Sequence, residues 1–302
     1  MRVLIVGLGL IGGAYALRLS RKGYEVYGYD INPESLAYAK EKGYIAEEVK
    51  DLPTAISFAD VIILSIYPQT ILEFLKQYKS YFRNNQVITD VCGVKSSFVE
   101  EATELCLPAV YCSHHPMAGR EKIGIRYSEE CVFEGANFLI TPLEDTPMSA
   151  VECIKKIGRD LGFSTISVIS AKRHDKMIGF TSQLTHAIAV SLVNSDHDPE
   201  TKNYIGDSYR DLTRIAMINE NLWSELFLEN KDFLLMHIEA FERELDKVKE
   251  ALAENEREET LLFNSLTDEE CESLYDLLTK VYQGWKECYE EDLFGHGCGK
   301  RK

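Results

Sequence analysis

Val3-Leu4-Ile5-Val6-Gly7-Leu8-Gly9-Leu10-Ile11-Gly12 is the stretch on which the reading of this chain turns. Four consecutive apolar residues suit a strand buried on both faces, and the apolar spacing after Gly9 suits a helix that follows at once. Between the two, Gly7 permits a tight bend, Gly9 opens the backbone to a pyrophosphate, and Gly12 lets helix and strand pack closely. Leu10 and Ile11 form the helix's first turn, whose free N–H groups and dipole favour phosphate. The next strand-like run ends at Asp30, eighteen residues beyond Gly12, where an acid accepts hydrogen bonds from an adenosine ribose. Asp30 could instead be a helix cap, but Asn32 is free to do that. Asp30 repels a 2′-phosphate and Ile31-Asn32 bring no cation, so NAD is expected over NADP. Ser65, just after the apolar run 61–64, completes an expected cofactor set of Gly7, Gly9, Leu10, Ile11, Gly12, Asp30 and Ser65.

Working outward, further strand-like runs occur at 87–89, 109–112, 138–140 and 165–168, alternating with amphipathic stretches at 33–42, 70–82 and 95–106. That alternation predicts βαβ units in a doubly wound parallel sheet. Beyond Val168 the pattern becomes helical, at 171–194, 209–219, 221 to about 255, and 267–289. The expected fold is α/β: an N-terminal doubly wound Rossmann-type sheet (1–168) followed by an all-α C-terminal domain (169–302). Leu234, Ile238, Phe241, Leu245, Val248 and Leu252 form one apolar seam that needs a partner helix, so a homodimer through the helical domain is expected.

The 302 residues carry 33 Lys plus Arg against 49 Asp plus Glu, a net charge of −16. Such a polyanion does not track a phosphate backbone or an anionic membrane by net charge, so neither nucleic acid nor membrane is an expected partner. No apolar run is long enough to span a bilayer, and the first strand starts at Val3, which predicts a cytoplasmic protein. Eight cysteines without a C-x-x-C pair read as reduced, buried thiols; no metal is expected, and the Gly-rich terminus 295–300 reads as a disordered tail.

The segment Tyr111-Cys112-Ser113-His114-His115-Pro116-Met117-Ala118-Gly119-Arg120-Glu121 falls at the carboxyl edge of the sheet, where ligands bind in such folds. Its H-P-M-A-G-x-E core resembles the signature of the prephenate dehydrogenase family, which oxidatively decarboxylates prephenate or arogenate in tyrosine biosynthesis. The resemblance extends to His174-Asp175, to Ser182-Gln183-Leu184-Thr185-His186 against the family's S-H-L-P-H, and to Tyr209-Arg210-Asp211-Leu212-Thr213-Arg214-Ile215 with Trp223 nine residues on. It implies an NAD-dependent prephenate dehydrogenase in which His115 is the catalytic base, while His186 and Arg214 bind the substrate. Arg210, one helical turn from Arg214, is a further candidate for the substrate dianion, or else half of a surface ion pair. His114 is expected to serve packing, Trp223 to lie in the core, and Asp211 and Glu121 to orient the cluster. An unperturbed imidazole would give activity an acidic limb between about pH 6 and 7.5.

Two positions depart from the family pattern. Gly93 stands in Asp90-Val91-Cys92-Gly93-Val94-Lys95 where many members have serine, leaving Ser96, Ser97 or a water to assist the base; Gln183 and Thr185 replace a histidine and a proline. Neither a chorismate mutase segment in front nor an ACT module behind fits the pattern, which argues against tyrosine inhibition through such a module. Among other readings, arogenate dehydrogenase differs only at the substrate side chain. A β-hydroxyacid dehydrogenase would need a lysine base that Lys172 and Lys176 do not match, and an NAD(H)-sensing binding protein would leave His115, His186 and Arg214 without work.

Overall fold

The computed structural model describes residues 1–118 and 122–257. Strands β1 (Arg2–Val6), β2 (Glu25–Tyr29), β3 (Glu47–Glu48), β4 (Val61–Leu64), β5 (Val87–Asp90) and β6 (Val110–Tyr111) make one parallel sheet in the order β3-β2-β1-β4-β5-β6. Helices α1 (Leu10–Arg21), α2 (Pro33–Glu41), α3 (Leu52–Phe58), α4 (Pro68–Tyr78) and α5 (Val99–Cys106) connect them. The strand order reverses between β1 and β4, the crevice where such sheets bind ligands. On β1, Val3 and Ile5 enter the core beneath α1, while Leu4 and Val6 enter the core on the other face. That two-sided burial is why the strand is apolar at every position.

The seven runs anticipated for one sheet divide into two. β7 (Ser113–Pro116) pairs antiparallel with β8 (Asn137–Thr141), and β8 pairs parallel with β9 (Thr165–Val168), covered by α6 (Met148–Leu161). The chain leaves the first sheet at Cys112, whose N–H still bonds to Ile88 O at 2.9 Å. A run of apolar residues reports that a strand is buried and says nothing about which sheet it joins, so the sequence pattern merged the two.

The helical part comprises α7 (Ala171–Ile178), a π-helical stretch (Gly179–Leu184), α8 (Thr185–Asn194), α9 (Asp207–Thr213), a 3-10 turn (Arg214–Ala216), α10 (Glu220–Glu229) and α11 (Lys231–Arg257). The single helix expected from 221 to about 255 is broken at Asn230. Asn230 is buried and its amide donates to Asp175 O at 2.9 Å and Gln183 Oε1 at 2.7 Å, a tertiary demand that outweighs local helix propensity. The same bonds explain Gln183, which also donates to Leu226 O at 2.8 Å and so fastens the break to α10.

Met1–Ile238 forms one compact unit and Glu239–Lys302 another. In the second, the seam residues Phe241, Leu245, Val248 and Leu252 of α11 are exposed. The expected helix 267–289, the acidic face centred there, Cys271, Cys288, Cys298 and the Gly-rich terminus lie outside the described residues. Of the other thiols, Cys92, Cys106 and Cys112 are buried and Cys131 and Cys153 half-buried. Among the described residues no helix is long and apolar enough to cross a membrane.

Two glycines in one turn separate stability from binding. A Cβ on Gly12 would stand 1.9 Å from Gly7 O, whereas a Cβ on Gly9 meets nothing within 4 Å. Gly12→Ala is expected to cost several kcal/mol of stability through this backbone clash, and Gly9→Ala under about 1 kcal/mol, while Gly9→Ala weakens dinucleotide binding by occupying the open cradle. Thermal denaturation and NAD titration of the two variants check both statements; equal stability losses would refute the assignment.

Candidate active site

At the tip of β1, Gly7 takes φ +91°, in the left-handed region, and its N–H bonds to Tyr29 O at 2.8 Å. A Cβ there would lie 2.4 Å from Ser65 O, so the turn packs directly on the end of β4. Asp30 Oδ2 accepts the Leu8 N–H at 2.5 Å and Oδ1 accepts the Asn32 N–H at 2.7 Å, fixing the carboxylate beside the glycine turn. Asn32, not Asp30, caps α2: its Oδ1 accepts the Glu34 N–H at 2.9 Å. No side chain caps α1, so the first-turn N–H groups at Leu10 and Ile11 face the open side of Gly9. An open Gly9, an uncapped helix start and an acid at the end of β2 together fit a dinucleotide's phosphates and ribose.

β7 carries the two adjacent histidines to opposite faces, as strand geometry requires. His114 points into the core beneath α1, where Tyr15 Oη meets Nε2 at 2.8 Å, Thr89 Oγ1 meets Nδ1 at 2.6 Å, and Phe138 stacks on the ring at 4.6 Å. Burial pushes its pKa down to about 3, so it is a neutral packing residue, as expected. His115 faces the other way and is half-buried.

Behind His115 stands a chain of polar groups that the motif comparison alone did not assign a job. His115 Nδ1 lies 2.9 Å from His174 Nε2, and His174 Nδ1 lies 2.7 Å from Asp175 Oδ1. The carboxylate can only accept, so His174 donates from Nδ1 and accepts at Nε2. His115 must then donate from Nδ1, which leaves a lone pair on Nε2. Asp175 is fixed in turn by the Lys95 N–H at 2.9 Å and the Ser96 N–H at 2.6 Å. Lys95, fully buried, donates to Asp90 Oδ1 at 2.6 Å and to His114 O at 2.8 Å. Asp90 also accepts from Tyr111 Oη at 2.6 Å and Ser113 Oγ at 2.5 Å; burial opposes its ionisation, but Lys95 and these donors hold it below the usual carboxylate range.

Burial, then the neighbouring His174, Lys95 and His114, depress the His115 pKa well below 6.5, and burial likewise lowers His174. The acidic limb expected between about pH 6 and 7.5 therefore moves lower, because sequence shows the imidazole but not its desolvation. Gly93 borders the same ring: a Cβ there would sit 3.7 Å from His115 Cε1, 3.8 Å from Nε2 and 3.6 Å from Leu226 Cδ2, ordinary contact distances that admit a Cβ. The neighbouring Ser96 N–H is bonded to Asp175 Oδ2 at 2.6 Å.

Leu226 brings the helical part up to Gly93, beside His115. Three residues earlier on the same face of α10, Trp223 stacks on His186 with ring centroids 3.7 Å apart and planes 29° apart. Trp223 is thus half-exposed and paired with a candidate site residue, contrary to the core position expected for it. His186 Nδ1 donates to Ser182 O at 2.8 Å, which directs Nε2 outward. Arg214 is exposed at the start of the 3-10 turn, which packs on α8, the helix of His186. Arg210 instead holds Asp207 at 3.0 Å in an exposed ion pair. Asp211 is exposed, and Arg120 and Glu121 lie outside the described residues.

Residues 14–166 match the family model for the nucleotide-binding domain of prephenate dehydrogenase, and residues 170–267 match that for its dimerization domain. A prephenate dehydrogenase from Bacillus subtilis is 31% identical over 266 residues, spanning 85% of this chain and 71% of the relative. Among solved structures, prephenate dehydrogenase from A. aeolicus in complex with hydroxyphenyl propionate and NAD+ is 32% identical with a TM-score of 0.81, covering 94% of this chain and 98% of that one. Synechocystis arogenate dehydrogenase is 25% identical with a TM-score of 0.77, covering 95% and 99%.

The His174 link yields a prediction. With His115 as the base, the neutral imidazole is the proton-accepting form and its folded-state pKa lies below 6.5, so activity is expected to persist at pH 6.5 and to fall only as pH drops through the depressed value. His174→Leu removes the acceptor for His115 Nδ1–H and a charge neighbour, so kcat is expected to fall about 10- to 10²-fold and the limb to rise toward 6.5. A kcat against pH profile measures both, and an unchanged limb would show that the pair is only structural.

Proposed function

The chain belongs to the prephenate dehydrogenase family, and from that membership and the His115 centre we propose that it catalyses the NAD-dependent oxidative decarboxylation of prephenate to 4-hydroxyphenylpyruvate. The observation that carries the reading is the ordered series His115–His174–Asp175, which leaves one imidazole lone pair beside Gly93 at the carboxyl edge of the sheet. Gly7, Gly9, Leu10, Ile11, Gly12 and Ser65 hold the dinucleotide and Asp30 its ribose; when bound, NAD supplies the hydride acceptor. His115 Nε2 takes the proton of the ring hydroxyl as the C–H electron pair leaves and the C=O develops. The bond to the ring carboxylate then breaks, carbon dioxide departs, its electron pair completes the aromatic ring, and the proton returns to oxygen. Aromatisation drives the step, so the protein's part is to orient, to hold one proton and to exclude water.

Arg214 docks a substrate carboxylate and His186, braced by Trp223, binds beside it. Arg210, paired with Asp207 in solvent, is left out of the substrate contacts. Residues 1–168 then serve as the dinucleotide-binding domain and 169–302 as the substrate-binding and dimerisation domain of a cytoplasmic homodimer. The exposed apolar residues of α11 support that dimer, which light scattering tests.

Mixing the protein with NAD and either prephenate or arogenate, and following NADH absorbance, tests the reading. Turnover is expected with prephenate; turnover with arogenate alone would move the chain to the arogenate-specific branch, and none with either would end the proposal. His115→Asn should lower kcat roughly 10²- to 10⁴-fold with little change in KM, and abolish the acidic limb.

Arg214→Ala should instead raise the prephenate KM about 10- to 10²-fold while NAD affinity holds, with poor rescue by lysine, whose point charge lacks the guanidinium fork. Steady-state kinetics separate this pattern from that of His115→Asn.

A further inference from the structure

A small cavity of about 140 Å³ lies beside the end of β2, lined by Asn32, Glu34, Ser35, Ile123, Arg126 and Tyr127. Asn32 links it to the ribose acid, since its N–H bonds to Asp30 Oδ1 at 2.7 Å. The far wall is anchored. Ser128 Oγ donates to Leu10 O at 2.7 Å, and buried Ile125 packs on α1 where a Cβ at Gly13 would meet its Cγ1 at 2.7 Å. The Arg126 guanidinium lies 5.0 Å from the centroid of the Tyr38 ring on α2, and Lys122 Nζ lies 4.8 Å from that of Tyr127. Of the lining residues Ile123 is 73% exposed, and Ile31, which precedes Asn32 in the chain, is 90% exposed.

We propose that this cavity receives the 2′ substituent of the cofactor's adenosine ribose and that Arg126 admits a 2′-phosphate there, making NADP a second, weaker cofactor. The inference rests on the dinucleotide reading above only in placing a ribose at Asp30. A carboxylate that binds ribose hydroxyls brings the 2′ oxygen within a few ångströms of the residues next in the chain. Those residues and the facing wall present donors: the Asn32 amide nitrogen, whose oxygen is spent on the cap, the Ser35 hydroxyl, and a guanidinium fork matched to phosphate. Asp30 and Glu34 oppose a phosphate, while Arg126 offsets them. The cation missing from Ile31-Asn32 comes instead from far along the chain, which only the fold shows.

Equilibrium binding of 5′-AMP and 2′,5′-ADP to the full chain tests this without turnover. Asp30→Ala is expected to strengthen 2′,5′-ADP relative to 5′-AMP about tenfold as the repelling charge goes. Arg126→Ala, and the shape-preserving Arg126→Gln, should weaken 2′,5′-ADP about tenfold in both the wild-type and Asp30→Ala backgrounds, with 5′-AMP shifted less than about twofold. Retained 5′-AMP binding shows that each variant is folded. If both probes respond equally to the Arg126 changes, or neither does, the subsite is overturned while the dinucleotide reading stands. If the wild-type chain binds neither probe, the dinucleotide reading falls and takes the subsite with it.

Discussion

One carboxylate, that of Asp175, holds the catalytic half together. It is 1% exposed and accepts from the Lys95 and Ser96 backbone and from His174 Nδ1. The first two bonds dock the turn after β5, and Gly93 with it, against α7. The third sets the tautomer of His174 and, through it, that of His115. A carboxylate so far from water is tolerated because every bond it makes comes from a fixed donor. Remove those donors and the His174 contact that orients the His115 ring loses its anchor.

Much of this was legible in the residues themselves. The glycine turn, Asp30 and the H-P-M-A-G-x-E segment each pair a residue type with a local chemical need, so they could be read without a fold. What stayed hidden depended on side chains distant in sequence. The division into two sheets at Cys112, the interruption at Asn230 and the stacking of Trp223 on His186 are tertiary choices among locally equivalent patterns. The pairing of His174 with His115 had a signal, a histidine followed by an acid at a helix start, but periodicity could not say which ring it would meet. Depression of the His115 pKa was equally out of reach, since burial is not written in a motif.

Charge is handled at two scales. The whole chain is strongly anionic, at −16, yet the proposed substrate is a dianion. The cations that the proposals above call on are therefore local: Arg214 for the substrate, Arg126 for the ribose substituent, and Lys95 beneath His115. Lys95 differs from the others in being wholly buried and neutralised by Asp90, so it tunes nearby imidazoles without attracting ligands. Separating a tuning cation from docking cations lets the surface field remain repulsive to bulk polyanions while the site stays receptive.

The placement of His114 and His115 on one short strand makes the site a matter of parity. Successive residues of β7 alternate between the core beneath α1 and the catalytic face, and the pairings His114 with Ile140 and His115 with Leu139 lock that count. A one-residue slip of β7 against β8 would leave composition, charge and motif intact, yet would send the wrong imidazole to each side. Two residues would restore the order. The register of β7 against β8 is thus free to change only in even steps, a rule imposed by pleat geometry before any chemistry is selected.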